Sequence, residues 1–143
     1  MPVAEKIVFI EKSADLMFDL VDRIEDYPQF LPWCGKAEVV ERHADGVTAR
    51  LEIDFHGIRQ HFTTRNHYDG KRLISMTLVD GPFHILDGAW RFKPLGDAAC
   101  KIEFRLHYEF SNHLLARLVG PIFQRISSTF VDAFIQRAER DSA

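Results

Sequence analysis

Two stretches of the chain alternate strictly between apolar and polar residues, and this period of two is the strongest constraint on the fold. In "VTARLEIDF" (47–55) and "CKIEFRLHYEF" (100–110), every second side chain is apolar. Such alternation is typical of antiparallel strands with one buried face and one solvated face. The pattern therefore predicts a meander of six strands from Lys36 onward. Turn signals separate these strands at 44–46, 56–57, 69–70, 80–82 and 95–97.

Helical patterns precede and follow this meander. After a first strand in "EKIVFIEK", Ser13 fits a helix N-cap, and apolar steps of three and four predict a helix to about Asp26. Residues 112–140 carry a longer apolar stripe with the same steps. We expect Ser111 to cap this last helix, and Gly120-Pro121 either to kink it or to mark its true start.

The order strand, helix, six strands, long helix predicts an α+β protein with a helix-grip arrangement. A curved antiparallel sheet of about seven strands would wrap around the long C-terminal helix, because each has an apolar face that needs a cover. We expect residues 1–143 to form one domain. Space for a ligand commonly remains between such a sheet and helix.

Composition restricts the classes of partner. The chain is 46% hydrophobic and carries a formal charge of -3 at pH 7, which argues against DNA binding through bulk charge. Cys34 and Cys100 have no metal or disulfide spacing, and we interpret them as free thiols in a reducing compartment. No signal peptide or apolar run of about 18 residues is present. We expect a cytoplasmic protein, and peripheral contact with the inner membrane stays open.

The sequence offers little support for catalysis. Cys34 has no identifiable base, and a lone cysteine more often packs as a small hydrophobe. The seven histidines form no zinc-binding motif, and there is no phosphate-binding glycine loop or nucleophile elbow. We therefore predict no catalytic residue, no metal site and no resident cofactor.

The segment "IRQHFTTRNHY" (58–68) carries polar side chains on both parities. On one parity, Gln60, Thr64 and Asn66 would face inward, where they would suit a polar-lined cavity. A β-bulge that shifts the parity, or exposure at the sheet rim, is the alternative.

The opposite parity of this segment is basic, with Arg59, His61, Arg65 and His67. These residues either contact phosphate on RNA or lipid, or belong to a solvated face that neighbouring acidic residues neutralise. The net charge favours the second interpretation.

Two loops place aromatic residues beside proline. "EDYPQFLPWCGK" (25–36) cannot be a regular helix or strand, and "DGPF" (80–83) has a similar composition. Together they form either an apolar mouth to a cavity or a plug for one end of the core. Gly88, on the inward parity of its strand, either opens room for a ligand or for the helix backbone, or marks a bend of the sheet.

Three motifs carry a resemblance to a known family. "YPQFLPWC" (27–34), "DGPFHILDGAWRF" (80–92) and "FVDAFIQRAE" (130–139) resemble the coenzyme Q-binding family that includes the RatA-type ribosome association toxins. This family belongs to the START-like, polyketide cyclase-like superfamily, and the resemblance extends from Glu5 to Glu139. It implies a helix-grip fold with a deep hydrophobic pocket. In this family, mitochondrial members bind ubiquinone, and some bacterial members block association of the ribosomal subunits.

The resemblance leads to two hypotheses about function. The first is non-catalytic binding of ubiquinone or a similar isoprenoid lipid in support of respiration. The second is a translation inhibitor that binds the large ribosomal subunit. Under the first hypothesis, the polyprenyl tail enters at the proline-rich rim and the neutral quinone headgroup bonds to Gln60, Thr64 or Asn66. The residues expected to contact the ligand are Tyr27, Leu31, Pro32, Trp33, Gln60, Phe62, Thr64, Asn66, Phe83, Leu86, Trp90, Leu118, Ile122, Phe123, Ile126 and Phe130.

Overall fold

The structure is a computed structural model, and it describes residues 3–141. Seven strands and two α-helices follow the predicted order. The strands are β1 (Val3–Ile10), β2 (Cys34–His43), β3 (Gly46–Phe55), β4 (Ile58–Asp69), β5 (Leu73–Asp80), β6 (Phe83–Pro94) and β7 (Cys100–Phe110). The helices are α1 (Ala14–Asp22) and α2 (His113–Asp141), with a 3-10 helix at Ile24–Gln29.

All seven strands form one antiparallel sheet in the order β1-β7-β6-β5-β4-β3-β2. β2 to β7 are a meander, and β1 joins the far edge beside β7. The five predicted turn signals all fall at the junctions between consecutive strands of this meander. The predicted fold class, a curved antiparallel sheet with a long C-terminal helix, is therefore confirmed.

The inner face of the sheet packs against α2 through a cluster of aromatic rings. Phe134 of α2 is fully buried. Its ring centroid lies 5.2 Å from that of Tyr27 and 5.3 Å from that of Trp90. Phe130 faces the sheet as well, 5.5 Å from the ring of Phe104. These contacts hold α2 across the concave side of the sheet.

The structure confirms the predicted N-cap of the first helix and corrects the predicted position of its C-terminal end. The Ser13 side chain accepts a hydrogen bond from the backbone N–H of Leu16 at 3.1 Å. α1 ends at Asp22 rather than near Asp26, because the chain tightens into the 3-10 helix, which contains Pro28. The proline-rich segment is thus partly regular, with Pro28 inside a 3-10 helix of six residues.

The long helix begins one residue later than predicted and has a different cap. The side chain of Asn112, rather than that of Ser111, caps the helix. Its Oδ1 accepts a hydrogen bond from the backbone N–H of Leu115 at 2.9 Å. Pro121 lies inside a continuous helix and so does not mark its start. It still removes one helical hydrogen bond, because proline cannot donate to the carbonyl of Arg117.

Gly88 lies where the backbone of the neighbouring strand approaches closely. A Cβ atom at this position would sit 2.4 Å from the carbonyl oxygen of Arg105. The glycine therefore accommodates the close approach of β7 to β6, which explains its presence without a space for ligand.

Candidate functional site

A cavity lies between the concave face of the sheet and α2, and its volume is about 70 Å³. Its wall is formed mostly by the inward side chains of β3 to β7, α1 and α2, and none of the lining residues is charged. Ten of the residues predicted from sequence lie on this wall. They are Tyr27, Trp33, Phe62, Thr64, Asn66, Leu86, Trp90, Phe123, Ile126 and Phe130.

Three predicted residues from the rim loops are not on the wall. Leu31 is buried but packs in the core beside the 3-10 helix, and Pro32 is exposed. Phe83 is buried, and its ring stacks on Phe110 at 4.9 Å and contacts Phe123 at 5.0 Å. These contacts favour a plug at this end of the core over an open mouth.

Three further predicted residues also lie outside the cavity wall. Leu118 is 53% exposed, because the helical period turns it to the solvent side while its neighbour Val119 points inward. Ile122 is half-buried beside it. Gln60 has the predicted inward parity but lies near the start of β4 and is not among the residues that line the cavity.

The structure adds wall residues that sequence reasoning did not select. Ala49 and Leu51 of β3, and Phe104 and Leu106 of β7, had inward parity in the alternating strands, so that pattern could have identified them. Ser127 of α2 had no such signal, because it is a polar residue within an apolar stripe.

Thr64 and Asn66 place a polar pair on the otherwise apolar wall. Their inward parity is confirmed, since the register of β3 with β4 runs without a shift from Gly46–His67 to Phe55–Ile58. The Thr64 hydroxyl donates to Asn66 Oδ1 at 2.8 Å. This bond holds the Asn66 side chain in one orientation within the cavity.

The other hydroxyl groups on the wall donate to protein oxygens. Tyr68 donates to Asp22 Oδ1 at 2.6 Å, and Tyr27 donates to the carbonyl of Val21. Burial raises the pKa of each of these two tyrosines above the ordinary value for a tyrosine. Ser127 donates to the carbonyl of Phe123 at 2.9 Å. At neutral pH the cavity wall is therefore uncharged.

The thiols give no support to nucleophilic chemistry. Both cysteines are free and buried. Burial raises the pKa of Cys34 to about 11, and its Sγ lies 3.4 Å from the carbonyl oxygen of Lys36. A reactive cysteine needs the opposite shift. Within residues 3–141 there is also no group of three or more side chains that could hold a metal ion.

The predicted basic residues on the outer face of β4 are largely neutralised. Arg59 forms ion pairs with Glu52 at 3.5 Å and Asp54 at 3.3 Å. Arg65 pairs with Asp45 at 2.7 Å. The second interpretation of this parity, a solvated face neutralised by acidic neighbours, fits these contacts.

A second group of basic side chains lies on the outer face of β6 and β7. Lys101 pairs with Glu103 at 2.9 Å, and Lys101, Arg91 and Lys93 all lower the pKa of that carboxyl. Three cations thus surround one anion, and we call Arg91, Lys93 and Lys101 the basic cluster. Phe9 of β1, which pairs with Lys101 in the sheet, is 70% exposed.

An open groove of about 850 Å³ runs between β1, β7 and the first half of α2. Its helical wall consists mainly of small residues, including Ala116, Gly120 and Ser128. Ser127 lines both this groove and the cavity, so the two spaces adjoin at that residue. Neither α1 nor α2, as described, has the length and apolar character of a membrane-spanning helix.

Comparisons with known proteins identify relatives of the chain. A model of the family described as polyketide cyclase / dehydrase and lipid transport matches residues 10–135. The chain is 40% identical over 139 residues to the ribosome association toxin RatA of Escherichia coli (strain K12), covering 97% of this chain and 88% of the toxin. It is 26% identical over 132 residues to the mitochondrial coenzyme Q-binding protein COQ10 homolog B of Xenopus laevis, covering 90% of this chain and 54% of that protein.

A solved structure with the same fold is the Zhui aromatase/cyclase from Streptomyces sp. R1128. The TM-score is 0.86 at 19% sequence identity, and the match covers 99% of this chain and 96% of that one. At this identity the likeness shows the fold alone. The resemblance read from the three sequence motifs is confirmed by these matches.

Proposed function

Because the chain belongs to the polyketide cyclase / dehydrase and lipid transport family, we propose that it binds ubiquinone or a similar isoprenoid lipid without chemical conversion. The observation that carries this proposal is the uncharged, mainly apolar cavity with the Thr64–Asn66 pair on its wall. A quinone ring is apolar on its faces and accepts hydrogen bonds at its oxygens. An anionic headgroup would lack a cation to pair with on this wall.

The tail of such a lipid would lie in the groove that adjoins the cavity at Ser127. The cavity itself is about 70 Å³, which is below the roughly 150 Å³ that accommodates benzene. Entry of a ring therefore requires α2 to shift. Gly120 and Pro121 weaken the hydrogen bonding of α2 at a point where such a shift could begin. The hydroxyls of Ser127 and Thr129 also donate to carbonyl groups of the preceding helical turn, and such bonds tend to bend helices.

The absence of a covalent step is part of this proposal. Cys34 is the thiol nearest the cavity wall in sequence, and its pKa of about 11 keeps it protonated at neutral pH. Neither a resident cofactor nor a metal is invoked, and ubiquinone is the cargo.

Lipid extraction from the purified protein, followed by mass spectrometry, tests this function. We expect an isoprenoid quinone to copurify at a substantial fraction of the protein concentration. Ala49→Leu narrows the cavity and should reduce the bound quinone severalfold, because Ala49 lines the wall. Ala37→Leu is the matched control on the neighbouring strand, on the same face but outside the cavity. Absence of quinone from the wild-type extract, or equal loss in both variants, would contradict the proposal.

A second candidate function is binding to the large ribosomal subunit in the cytoplasm. Two observations favour it: the 40% identity to a ribosome association toxin over nearly the whole chain, and the basic cluster on β6 and β7. RNA affinity comes mainly from basic contacts with phosphate. The ion pairs of Arg59 and Arg65 make the outer face of β4 the weaker site for such a contact.

Cosedimentation with ribosomal subunits at several salt concentrations tests this candidate. Arg91→Glu with Lys93→Glu should abolish salt-sensitive binding, whereas Arg59→Glu with Arg65→Glu is the matched double reversal and should weaken it much less. Quinone binding should survive both changes, since the cavity lies on the other face of the sheet. If the wild type does not bind subunits at any salt concentration, the ribosome candidate falls and the quinone proposal is unaffected.

A further inference from the structure

The polar groups on the cavity wall differ in whether their protons already have acceptors. The four hydroxyl groups, on Tyr27, Thr64, Tyr68 and Ser127, all donate to protein oxygens. The Asn66 side chain, in contrast, uses only its oxygen, which accepts from Thr64. Its amide nitrogen has two protons to donate.

Three N–H groups on the wall have no acceptor among residues 3–141. They are the side-chain amide of Asn66 and the indole groups of Trp33 and Trp90. Asn66 is 9% exposed and Trp90 is 1% exposed, so little of either residue reaches bulk solvent. Over the same residues, the one fully sealed side-chain nitrogen or oxygen without a partner is Nη1 of Arg137. The nitrogens of Asn66 and Trp90 are therefore not fully sealed, and both residues line the cavity.

Buried polar groups are nearly always hydrogen-bonded, and buried tryptophan N–H groups usually find a partner. The three nitrogen groups without an acceptor can only donate, so a ligand that satisfies them must bring acceptors, although the wall hydroxyls keep lone pairs that can still accept. The lining residues include no cation, so a carboxylate or phosphate would be buried without a counter-charge. Neutral carbonyl oxygens meet both conditions.

The positions of the donors indicate more than one acceptor. Asn66 pairs with Met76 on β5, and Trp90 of β6 pairs with Ile74 on the other side of β5. The two donor residues are thus two strands apart and offset by two residues, so their Cα atoms are separated by roughly 12 Å. Two oxygens on opposite sides of a ring suit this separation better than one oxygen does.

We infer that the cavity selects neutral ligands with two carbonyl oxygens, which Asn66 and Trp90 bind, and that it takes the oxidised form of a quinone in preference to the hydroquinone. The phenolic oxygens of the reduced form accept hydrogen bonds from Asn66 and Trp90 more weakly than carbonyl oxygens do, and their two protons need acceptors of their own. This inference rests on the proposed binding of a quinone in this cavity, and it adds the residues and the redox state.

Equilibrium dialysis of a short-chain ubiquinone tests the redox preference, with the ligand kept either oxidised or reduced under anaerobic conditions. We expect the wild type to bind the oxidised form about tenfold more tightly. Asn66→Leu and Trp90→Phe remove one donor each and should weaken oxidised binding by about tenfold while bringing the two forms closer together. Gln60→Leu is the matched control, since Gln60 has the same strand and parity as Asn66 but lies outside the cavity.

NMR supplies a readout that does not depend on affinity. The chain has two tryptophans, so Trp90→Phe assigns both indole resonances. The Trp90 indole proton should move downfield on addition of the oxidised ligand. If the wild type binds both redox forms equally, with unchanged affinity in the variants and no indole shift, the inference is wrong although the proposed quinone binding stands.

A matched pair of probes separates the inference from the proposed function if ubiquinone does not bind. Dimethylnaphthoquinone carries two carbonyl oxygens on its ring system, and dimethylnaphthalene carries none. If only the first binds and shifts the Trp90 resonance, the carbonyl selection holds and the ubiquinone proposal fails. If neither probe binds, or both bind without the shift, the carbonyl selection is overturned as well.

Discussion

Strand β4 carries hydrogen-bonding side chains on both of its faces, and the two faces differ in how those groups are satisfied. On the outer, solvated face, Arg59 and Arg65 form ion pairs with three carboxylates. On the inner face, Asn66 keeps an unused amide nitrogen although it is almost fully buried. Water could satisfy the outer groups at little cost, whereas nothing but a ligand or trapped water can satisfy the inner one.

This difference in hydrogen bonding indicates which face of β4 is the better evidence for a ligand. Surface ion pairs form readily and contribute little to stability, so they say little about function. A buried donor without an acceptor costs about 1–3 kcal/mol, so its presence calls for an explanation. The inner face, with fewer polar groups, is therefore the better guide to what the protein binds.

The largest expected effect concerns packing around the cavity. Phe134→Ala should lower the free energy of unfolding by about 3–5 kcal/mol, because Phe134 is fully buried among four aromatic rings. Phe130→Ala should cost less, roughly 1–2 kcal/mol, because Phe130 is only half-buried and already faces the cavity. Urea denaturation of both variants measures the difference. Equal losses would mean that Phe130 packs as a core residue rather than as cavity wall.

The next prediction places a carboxyl group on the inner face. In Asn66→Asp, burial should raise the folded-state pKa of the new carboxyl above its unfolded value of about 3.9. The variant should then lose stability as the pH rises from the unfolded pKa through the folded pKa, by about 1.4 kcal/mol for each pKa unit between them.

Denaturant midpoints between pH 4 and pH 7 check this expectation against Gln60→Glu, in which the new carboxyl lies on the same face outside the cavity. A similar pH profile in the two variants would show that water reaches Asn66 as freely as it reaches Gln60.

Much of the fold follows from the sequence because alternation and turn chemistry are local signals. The inward parity of β3 and β7 and the cap at Ser13 needed no long-range information, whereas the parity of β4 stayed open until the register with β3 was known. Errors occurred where tertiary contacts decide. Leu118 fits the apolar stripe by its spacing alone, yet α2 presents the neighbouring Val119 to the core, and the Leu118 side chain stays exposed.

The site was less predictable than the fold because it depends on how rings from distant segments meet. The loop that contains Phe83 has the composition expected of a cavity mouth. The Phe83 ring, however, stacks on Phe110 at the end of β7 and so closes this end of the core. Ser127 interrupts an apolar stripe, and only the arrangement of α2 over β7 shows that it joins the groove to the cavity. Neither contact has a signature in the local sequence.

A smaller effect is expected at the buried thiol of Cys34. With a pKa of about 11, roughly one molecule in ten thousand carries the thiolate at pH 7. Cys34→Ser should leave quinone binding within a few-fold of the wild type, apart from packing losses. Alkylation of the native protein by iodoacetamide at pH 7 should be far slower than alkylation of the urea-unfolded chain. Loss of binding in a folded Cys34→Ser variant, or fast alkylation of the native thiol, would restore a chemical role for this residue.

The smallest effect is expected on the outer face, at the pair of Arg65 and Asp45. The hydrogen bond from Arg65 lowers the pKa of the Asp45 carboxyl, which is exposed. The pair therefore adds to stability above the unfolded pKa of aspartate, and that contribution disappears as the pH falls through the folded pKa. This direction is opposite to the one expected for the buried carboxyl of Asn66→Asp. Asp45→Asn should shift the denaturant midpoint only slightly at neutral pH, and molar salt should remove the shift by screening. If Asp45→Asn destabilises the protein as much as Asn66→Asp does, the outer charges are structural, and the contrast between the two faces of β4 no longer distinguishes a ligand site from a solvated surface.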